Sequence, residues 1–264
     1  MSVRQTGRAG SLLRSVIALV LMAGAHEALA RSGTFPPALL PTLPAVGVAL
    51  WSGIADGTLP LHAASTLYRV LAGMGLAIVL AVPLGILMGR VRAVEGFVLP
   101  LASALMPIPS LAWVPLFILW LGLGNATAIG IVLYAAAFPI LLNVWSGVRA
   151  VNPLWVRAGS AMGAGAGALF WKVVLPGASP FIIAGLRQAF VRAWIAVVGA
   201  EMLAASDWGL GWVIFDAKEF LQADRMLASL SVIGLIGLAF ERLVLGTLER
   251  TTVQRWGMVR QGKG

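Results

Sequence analysis

The chain has 264 residues, of which 59% are hydrophobic and only 11% are charged, against about 25% charged in an ordinary soluble domain. This composition excludes a water-soluble protein and predicts an all-α, polytopic membrane protein with one membrane domain. The net charge of +9 does not indicate nucleic-acid binding, because the arginines stand between apolar runs, and the absence of cysteine excludes disulfides and thiolate metal sites.

The apolar runs predict about six membrane-spanning helices, because about 20 helical residues cross the hydrocarbon core. An even number of crossings puts both termini on one side, where fourteen Lys and Arg residues fall, against three on the other side. The positive-inside rule makes the richer side cytoplasmic. The predicted spans are 12–30, 64–89, 97–121, 126–148, 180–204 and 227–248.

These spans divide the chain into four segments. Residues 1–31 form a cytoplasmic tail and the first span, 32–63 an outer segment, 64–248 the core membrane domain and 249–264 a basic cytoplasmic tail. The basic start and the Ala28-Leu29-Ala30 stretch also fit a cleavable signal peptide. We expect the first span to be retained, because cleavage would leave five crossings with the termini on opposite sides.

The segments on the outer side carry few reactive residues. Four prolines between 36 and 44 break any early helix, after which Val46, Leu50 and Ile54 predict a short amphipathic helix on the membrane surface. His62 stands alone, so a metal role is not expected. The carboxylates of 207–225 are too scattered for a metal site, and we expect a solvated loop there.

The third span is rich in proline, with the stretch MPIPSLAWVP at its centre. Proline removes a backbone donor, and broken backbone at membrane depth is tolerated where it is buried in protein or lines an aqueous cavity. The span is therefore expected to line a path, although a kinked and merely structural helix remains an alternative. The candidate path residues are Pro107, Pro109, Trp113 and, from the fifth span, Arg192.

Among the charged residues inside predicted spans, Arg69, Glu201 and Arg192 are the candidates for a role within the membrane. Arg69 and Glu201 lie about one turn from the outer ends of spans two and five, so we expect them to form a structural ion pair. Arg192 lies nearer mid-membrane without an obvious partner. It either faces an aqueous cavity, where it could favour an anion, or snorkels and bonds to backbone carbonyls.

The cytoplasmic loop 149–179 is long and has helical patterning, which is typical of functional loops. Asn152-Pro153 predicts a helix start, 154–162 a first helix, 163–167 a turn, and 168–174 a second helix stopped by Pro176. Small residues at the tip allow another surface to approach the backbone closely. The Gly-Ala run lacks the Lys and Ser/Thr of a phosphate-binding loop.

This loop resembles the coupling loop of bacterial ABC importer permeases, with Arg157 where that family usually has Glu and Gly159 where it usually has Ala. MPIPSLAWVPLFILWLGLG, LPGASPFIIAGLRQAF and AEMLAAS are similar to the subfamily that imports nitrate, sulfonates and taurine. The resemblance covers the last three quarters of the chain and implies a type I importer fold. The loop residues that match the family pattern are Arg157, Ala158, Gly159, Gly163, Val173, Leu175 and Pro176.

The resemblance implies a permease of the bacterial inner membrane that catalyses no reaction itself. A second permease copy would complete the path, two ATPase subunits using ATP and Mg would dock under the 157–176 loops, and a periplasmic binding protein would deliver the solute. The solute is expected to be small and anionic, such as a sulfonate, taurine or nitrate. This chain is expected to bind no cofactor and no metal.

Two other classes of membrane protein compete with this interpretation. An ATP-independent carrier or channel would predict ionisable relays across several spans or paired broken helices in a repeat, and no convincing internal repeat is present. An intramembrane enzyme would need a nucleophile and base or a metal set at matched depths, and the sequence offers only two histidines and no hydrolase motif.

Overall fold

The computed structural model describes the backbone of residues 7–204 and 207–246, and all regular structure within these ranges is helical. In chain order the first helices are α1 (Gly7–Arg31), α2 (Leu43–Ala55), α3 (Thr58–Arg90), α4 (Arg92–Leu105), α5 (Val114–Leu121) and α6 (Asn125–Ala150). They are followed by α7 (Pro153–Ala161), α8 (Ala166–Leu169), α9 (Leu175–Ala204), α10 (Leu210–Glu219) and α11 (Ala223–Ala239). The predicted tail 249–264 and the end of the sixth predicted span lie outside the described residues.

Four helical segments among the described residues are long and apolar enough to cross a membrane: Thr58–Arg90, Asn125–Ala150, Ala166–Ala204 and Ala223–Leu243. A fifth crossing results if α4 and the Ser110–Leu121 segment, bent by 89° at their junction, count as one span. The first predicted span coincides with α1, and its crossing of the membrane stays a prediction. The second and fifth predicted spans are longer than expected, because α3 begins at Thr58 and α9 at Leu175.

The core of the bundle is α6 packed between α3 and α9. Within its apolar stretch 61% of the residues are buried, against 11% for α11. Small residues permit the close packing of α3 on α6: a Cβ on Gly73 would lie 2.5 Å from Val132, and one on Gly85 would lie 2.8 Å from the Leu141 carbonyl oxygen. The other helices surround this three-helix core.

A helix is present where one was expected after the proline cluster, as α2, which packs against α3 and α11. Its position on the membrane surface stays a prediction. The expectation of a solvated loop at 207–225 is wrong, because most of this segment forms α10. Leu210 and Ile214 of α10 are buried between α9 and α11. The apolar spacing of these two side chains, one helical turn apart, explains why the segment folds back onto the bundle rather than into water.

The second helix of the 149–179 loop does not stop at Pro176. α8 continues through a π turn at Phe170–Val174 directly into α9. Pro176 stands in the first turn of α9, and it cannot donate to the carbonyl of Lys172 four residues earlier. The wider π turn accommodates this missing hydrogen bond, so the helix continues where the sequence predicted an end.

Candidate functional site

The proline-rich third span is broken between Leu105 and Ser110. Pro107 and Pro109 have no N–H to continue the helical ladder, so α4 ends and the chain turns sharply before a 3₁₀ turn leads into α5. The Tyr134 hydroxyl of α6 donates to the Leu105 carbonyl at 2.6 Å and so satisfies one acceptor freed at the helix end. The break is thus held in place by a side chain of the core.

A cavity of about 750 Å³ lies beside this break, between α4, α6 and α9. Three of the four residues predicted for the path line it, namely Pro107, Pro109 and Arg192. Trp113 is not among the lining residues; its ring packs 5.4 Å from that of Tyr134, and its buried Nε1 has no hydrogen-bond partner among the described residues. The structure therefore brings the prolines and Arg192 together around one space.

The two remaining charged candidates meet at the other end of α9. Arg69 Nη1 lies 2.8 Å from Glu201 Oε1, and the two side chains are 3% and 0% exposed. The same guanidinium donates to the Trp208 carbonyl oxygen at 2.5 Å and, through Nε, to Asn125 Oδ1 at 2.8 Å. A buried ion pair is tolerated when further hydrogen bonds satisfy both groups, as these contacts do for Arg69.

Glu201 is equally well satisfied. Its Oε2 accepts from the backbone N–H of Gly211 at 2.9 Å and from the Thr66 hydroxyl at 3.0 Å. The Thr66 oxygen accepts in turn from the N–H of Leu210 at 2.9 Å. We call Arg69, Glu201, Thr66, His62 and Asn125, with the backbone of 208–211, the polar cluster.

Sequence reasoning missed most of this cluster. His62 was expected to stand alone, yet its Nδ1 accepts from the Gly209 N–H at 3.0 Å and its ring stacks on Trp212 at 5.6 Å. A signal was present, because His62, Thr66 and Arg69 are spaced by four and three residues and therefore share one face of α3. Asn125 carries no such local signal, since it joins the cluster from the start of α6.

The loop 149–179 forms a helical hairpin of α7 and α8. The Asn152 side chain caps α7 by accepting from the Leu154 N–H at 2.9 Å, and Gly163 ends the turn with a φ of +81° that favours glycine. Gly159 permits close packing, because a Cβ there would lie 2.6 Å from Leu169 Cδ2. Both positions explain why small residues are needed at the tip.

Of the seven loop residues singled out from the sequence, Arg157, Ala158 and Gly163 are exposed, whereas Gly159, Val173, Leu175 and Pro176 are half-buried. Large apolar side chains also face outward from the hairpin: Trp155, Met162 and Trp171 are 52%, 88% and 67% exposed. Exposed large apolar side chains along a projecting hairpin are typical of a surface that contacts another protein. Val173 packs against the core of the bundle, whereas Gly159 packs against Leu169 within the hairpin.

The hairpin and the polar cluster lie at opposite ends of the bundle. Asn125 begins α6 and belongs to the cluster, while the hairpin follows the end of α6 at Ala150. A 26-residue helix is about 39 Å long, which is sufficient to cross a membrane. The cavity with Arg192 lies between these two ends.

The matching family and the similar proteins are all described as components of membrane transport systems. Residues 81–247 match the family described as binding-protein-dependent transport system inner membrane component. A protein of Methanocaldococcus jannaschii assigned as an ABC transporter permease is 42% identical over 78% of this chain and 79% of its own length. The taurine transport system permease protein of Escherichia coli is 35% identical, over 79% of this chain and 75% of its own length.

Two further similarities extend the comparison. The bicarbonate transport system permease protein of Synechococcus elongatus is 31% identical over 73% of this chain and 67% of its own length. Among solved structures, a chain of the MetNI methionine ABC transporter in inward-facing conformations matches with a TM-score of 0.54 at 19% identity, covering 70% of this chain and 93% of that chain. The latter likeness concerns the fold alone.

Proposed function

This chain belongs to the family of binding-protein-dependent transport system inner membrane components, and on that premise we propose that two copies of it form the path by which a small anionic solute is imported. As a member of a transport family it is a membrane permease and no enzyme in its own right. Partner ATPase subunits supply the energy from ATP and Mg, and an external binding protein delivers the solute.

The observation that carries this proposal is the exposed hairpin formed by α7 and α8. The hairpin exposes Met162 at its tip and Trp155 on α7, and Trp171 is exposed in the π turn that follows α8, at the end of the bundle opposite the polar cluster. The hairpin is continuous with α9, which lines the cavity beside the broken span. A partner ATPase that grips the hairpin would therefore act directly on a helix of the path, which gives a two-state element that nucleotide binding can bias.

The class of solute is supported by the relatives. One is named for taurine and another for bicarbonate, and both compounds carry an acid group that is ionised near neutral pH. The cavity beside the broken span contains an arginine and, among its described lining residues, no carboxylate. We therefore assign this chain a small anionic cargo of the sulfonate, taurine or nitrate type.

The orientation follows from the distribution of charge. The hairpin side carries Arg90, Arg92, Arg149, Arg157 and Lys172, so the positive-inside rule makes it cytoplasmic. A multi-pass inner-membrane protein with both termini in the cytoplasm places the polar cluster at the periplasmic end, where the binding protein docks. This arrangement puts the ATPase and the solute donor on opposite sides of the membrane.

The proposal is tested by purifying this chain with the cognate ATPase and comparing Gly163→Asp with Gly33→Asp. Both glycines have positive φ, of +81° and +74°, and neither has a neighbouring atom where a Cβ would stand. We expect Gly163→Asp to abolish co-purification and solute-stimulated ATP hydrolysis, because the added carboxylate obstructs the hairpin tip. Gly33→Asp, with the same backbone demand at the other end of the molecule, should retain both. Equal behaviour of the two variants would refute docking at the hairpin.

A further inference from the structure

Arg192 has a side chain that the fold does not satisfy. Within the part of the chain that the structure describes, no hydrogen bond, ion pair or aromatic ring engages its guanidinium, and the residue is exposed. It lies about 18 Å before the end of α9 at Ala204, from a rise of about 1.5 Å per residue, which places it well inside the membrane-spanning part. An unpaired cation at this depth is costly against lipid.

The face of α9 that carries Arg192 bears one further polar side chain, Gln188, whereas Arg187 lies on a different face. Gln188 lies one turn earlier and accepts a 3.3 Å hydrogen bond from Asn143 of α6, and Arg187 pairs with Glu241 at 2.9 Å. Opposite α9, Ser103 and Ser110 line the same cavity as Arg192. Polar side chains on both sides of this space favour water there over lipid tails, which would leave Arg192, Ser103 and Ser110 unsatisfied.

We propose that Arg192 is the anion-binding residue of this cavity and holds the acid group of the solute during its passage. The planar guanidinium can donate two parallel hydrogen bonds to a sulfonate or carboxylate, and the Ser103 and Ser110 hydroxyls supply neutral partners nearby. This assignment rests on the proposed import of an anion and adds where in the chain that anion is recognised.

The remaining lining narrows the class of solute. Met106, Ile108, Leu111, Phe138 and Ile195 give the cavity an apolar surface around the single charge. Such a surface stabilises a short alkyl chain, whereas a small inorganic ion gains nothing from it. The cavity therefore fits an organic oxyanion with an apolar stem, such as an alkanesulfonate, better than it fits bicarbonate or nitrate.

The chain lacks cysteine, so a single introduced thiol reports on the cavity. Ser103→Cys is placed in the cavity wall, and the assembled transporter in lipid nanodiscs is treated with a methanethiosulfonate reagent bearing either a sulfonate or a quaternary ammonium group. We expect the sulfonate reagent to be favoured, and Arg192→Gln to lower the ratio of the two rates by about tenfold, as removal of one nearby charge in a partly screened site predicts. Arg192→Lys should retain most of the preference.

Two controls distinguish the effect of the Arg192 charge inside the cavity from the effect of the protein's overall charge. Arg187→Gln removes the same charge from the same helix, but Arg187 is paired with Glu241 and does not line the cavity, so the rate ratio should not change. Reaction of the two reagents with a small free thiol in solution, such as 2-mercaptoethanol, measures their intrinsic difference in rate. An unchanged ratio in Arg192→Gln, or no reaction of the cavity thiol with either reagent, would overturn the assignment.

Competition tests the solute class. Butanesulfonate should slow modification of the Ser103→Cys thiol at concentrations about tenfold lower than bicarbonate does, and the protection should disappear in Arg192→Gln. Equal protection by the two anions would overturn the role given to the apolar lining. These measurements require neither ATP hydrolysis nor a bound ATPase. Repeated on the full-length permease in nanodiscs without ATPase subunits, they should give the same protection for the parent Ser103→Cys chain and for the same chain carrying Gly163→Asp. Failure of hairpin docking and failure of anion binding are thereby distinguished.

Discussion

Arg69 and Arg192 both lie in membrane-spanning helices, but their surroundings differ in every respect. Arg69 is 3% exposed and bonded to Glu201, Asn125 and the Trp208 carbonyl, whereas Arg192 is exposed in a cavity and has no partner among the described residues. A charge whose hydrogen bonds are all made within the protein contributes to the fold. A charge left unsatisfied at membrane depth is a candidate for ligand binding, which is the role we propose for Arg192. The comparison therefore separates structural from functional ionisable residues.

The largest effect is expected from breaking the buried pair. Glu201→Gln leaves the Arg69 charge uncompensated, and we expect the free energy of unfolding to fall by about 3–5 kcal/mol. Reversible unfolding in mixed micelles of increasing SDS fraction measures this loss. The double variant Arg69→Gln with Glu201→Gln should recover part of it, because no charge then remains buried. A single variant as stable as the parent would show that the pair is not structural.

The next effect concerns the backbone that the polar cluster holds. Gly209 has a φ of +144°, and a Cβ there would lie 2.5 Å from Glu201 Cδ. We expect Gly209→Ala to lower the free energy of unfolding by about 2–3 kcal/mol, because the methyl group adds backbone strain and overpacking. Gly57→Ala is the matched control: its φ is +79° but no atom lies within 4 Å of its Cβ position, so only about 1 kcal/mol is expected. Equal losses of unfolding free energy in the two variants would mean that the polar cluster rearranges to accommodate the added methyl group.

A smaller effect is expected from one hydroxyl of the cluster. Thr66→Val keeps the shape of the side chain but removes the acceptor of the buried Leu210 N–H and a donor to Glu201. We expect a loss of about 1–2 kcal/mol in the same unfolding measurement. Ser65→Ala removes the adjacent hydroxyl, for which the structure shows no such contacts, and should stay within about 0.5 kcal/mol. If Ser65→Ala proved the more damaging, the cluster would not be the source of stability.

The smallest effect on stability is expected at Arg192. Arg192→Gln removes no contact that the fold makes, so the free energy of unfolding should change by no more than about 0.5 kcal/mol. The same variant should nevertheless lose transport of an anion in reconstituted vesicles, with Arg192→Lys retaining a measurable part. A large loss of stability in Arg192→Gln would place Arg192 in the same class as Arg69.

Regular features of the sequence predicted the architecture well. Apolar runs of span length marked α3, α6 and α9, and the prolines at 107 and 109 marked the broken span, because both signals are local. The depth of Arg69 and Glu201 could also be estimated, since residue number along a helix converts directly to distance. What could not be estimated was which side chains surround them.

The parts that sequence reasoning missed depend on contacts between distant segments. The Asn125 side chain bonds to Arg69 across 56 residues of sequence, and the backbone N–H groups of Gly209 and Leu210 bond to His62 and Thr66 across more than 140. The carboxylates of 207–225 suggested a loop in water, while the burial of Leu210 and Ile214 made it a helix. Similarly, the helix breaker Pro176 was overridden by a π turn that a local rule does not anticipate.

The uninterrupted run from α8 through the π turn into α9 has a mechanical consequence. Residues Ala166–Ala204 form one segment of 39 residues, about 58 Å long, that reaches from the hairpin past Arg192 to Glu201. The contacts of Glu201 in the polar cluster hold the far end of this segment in place, so the segment can act as a lever. A sideways push at the hairpin would pivot the segment about that end, and the wall of the cavity would sweep through a smaller arc than the tip. In the proposed mechanism, a push by the ATPase would therefore reach the anion site assigned to Arg192 as a displacement smaller than the displacement at the tip.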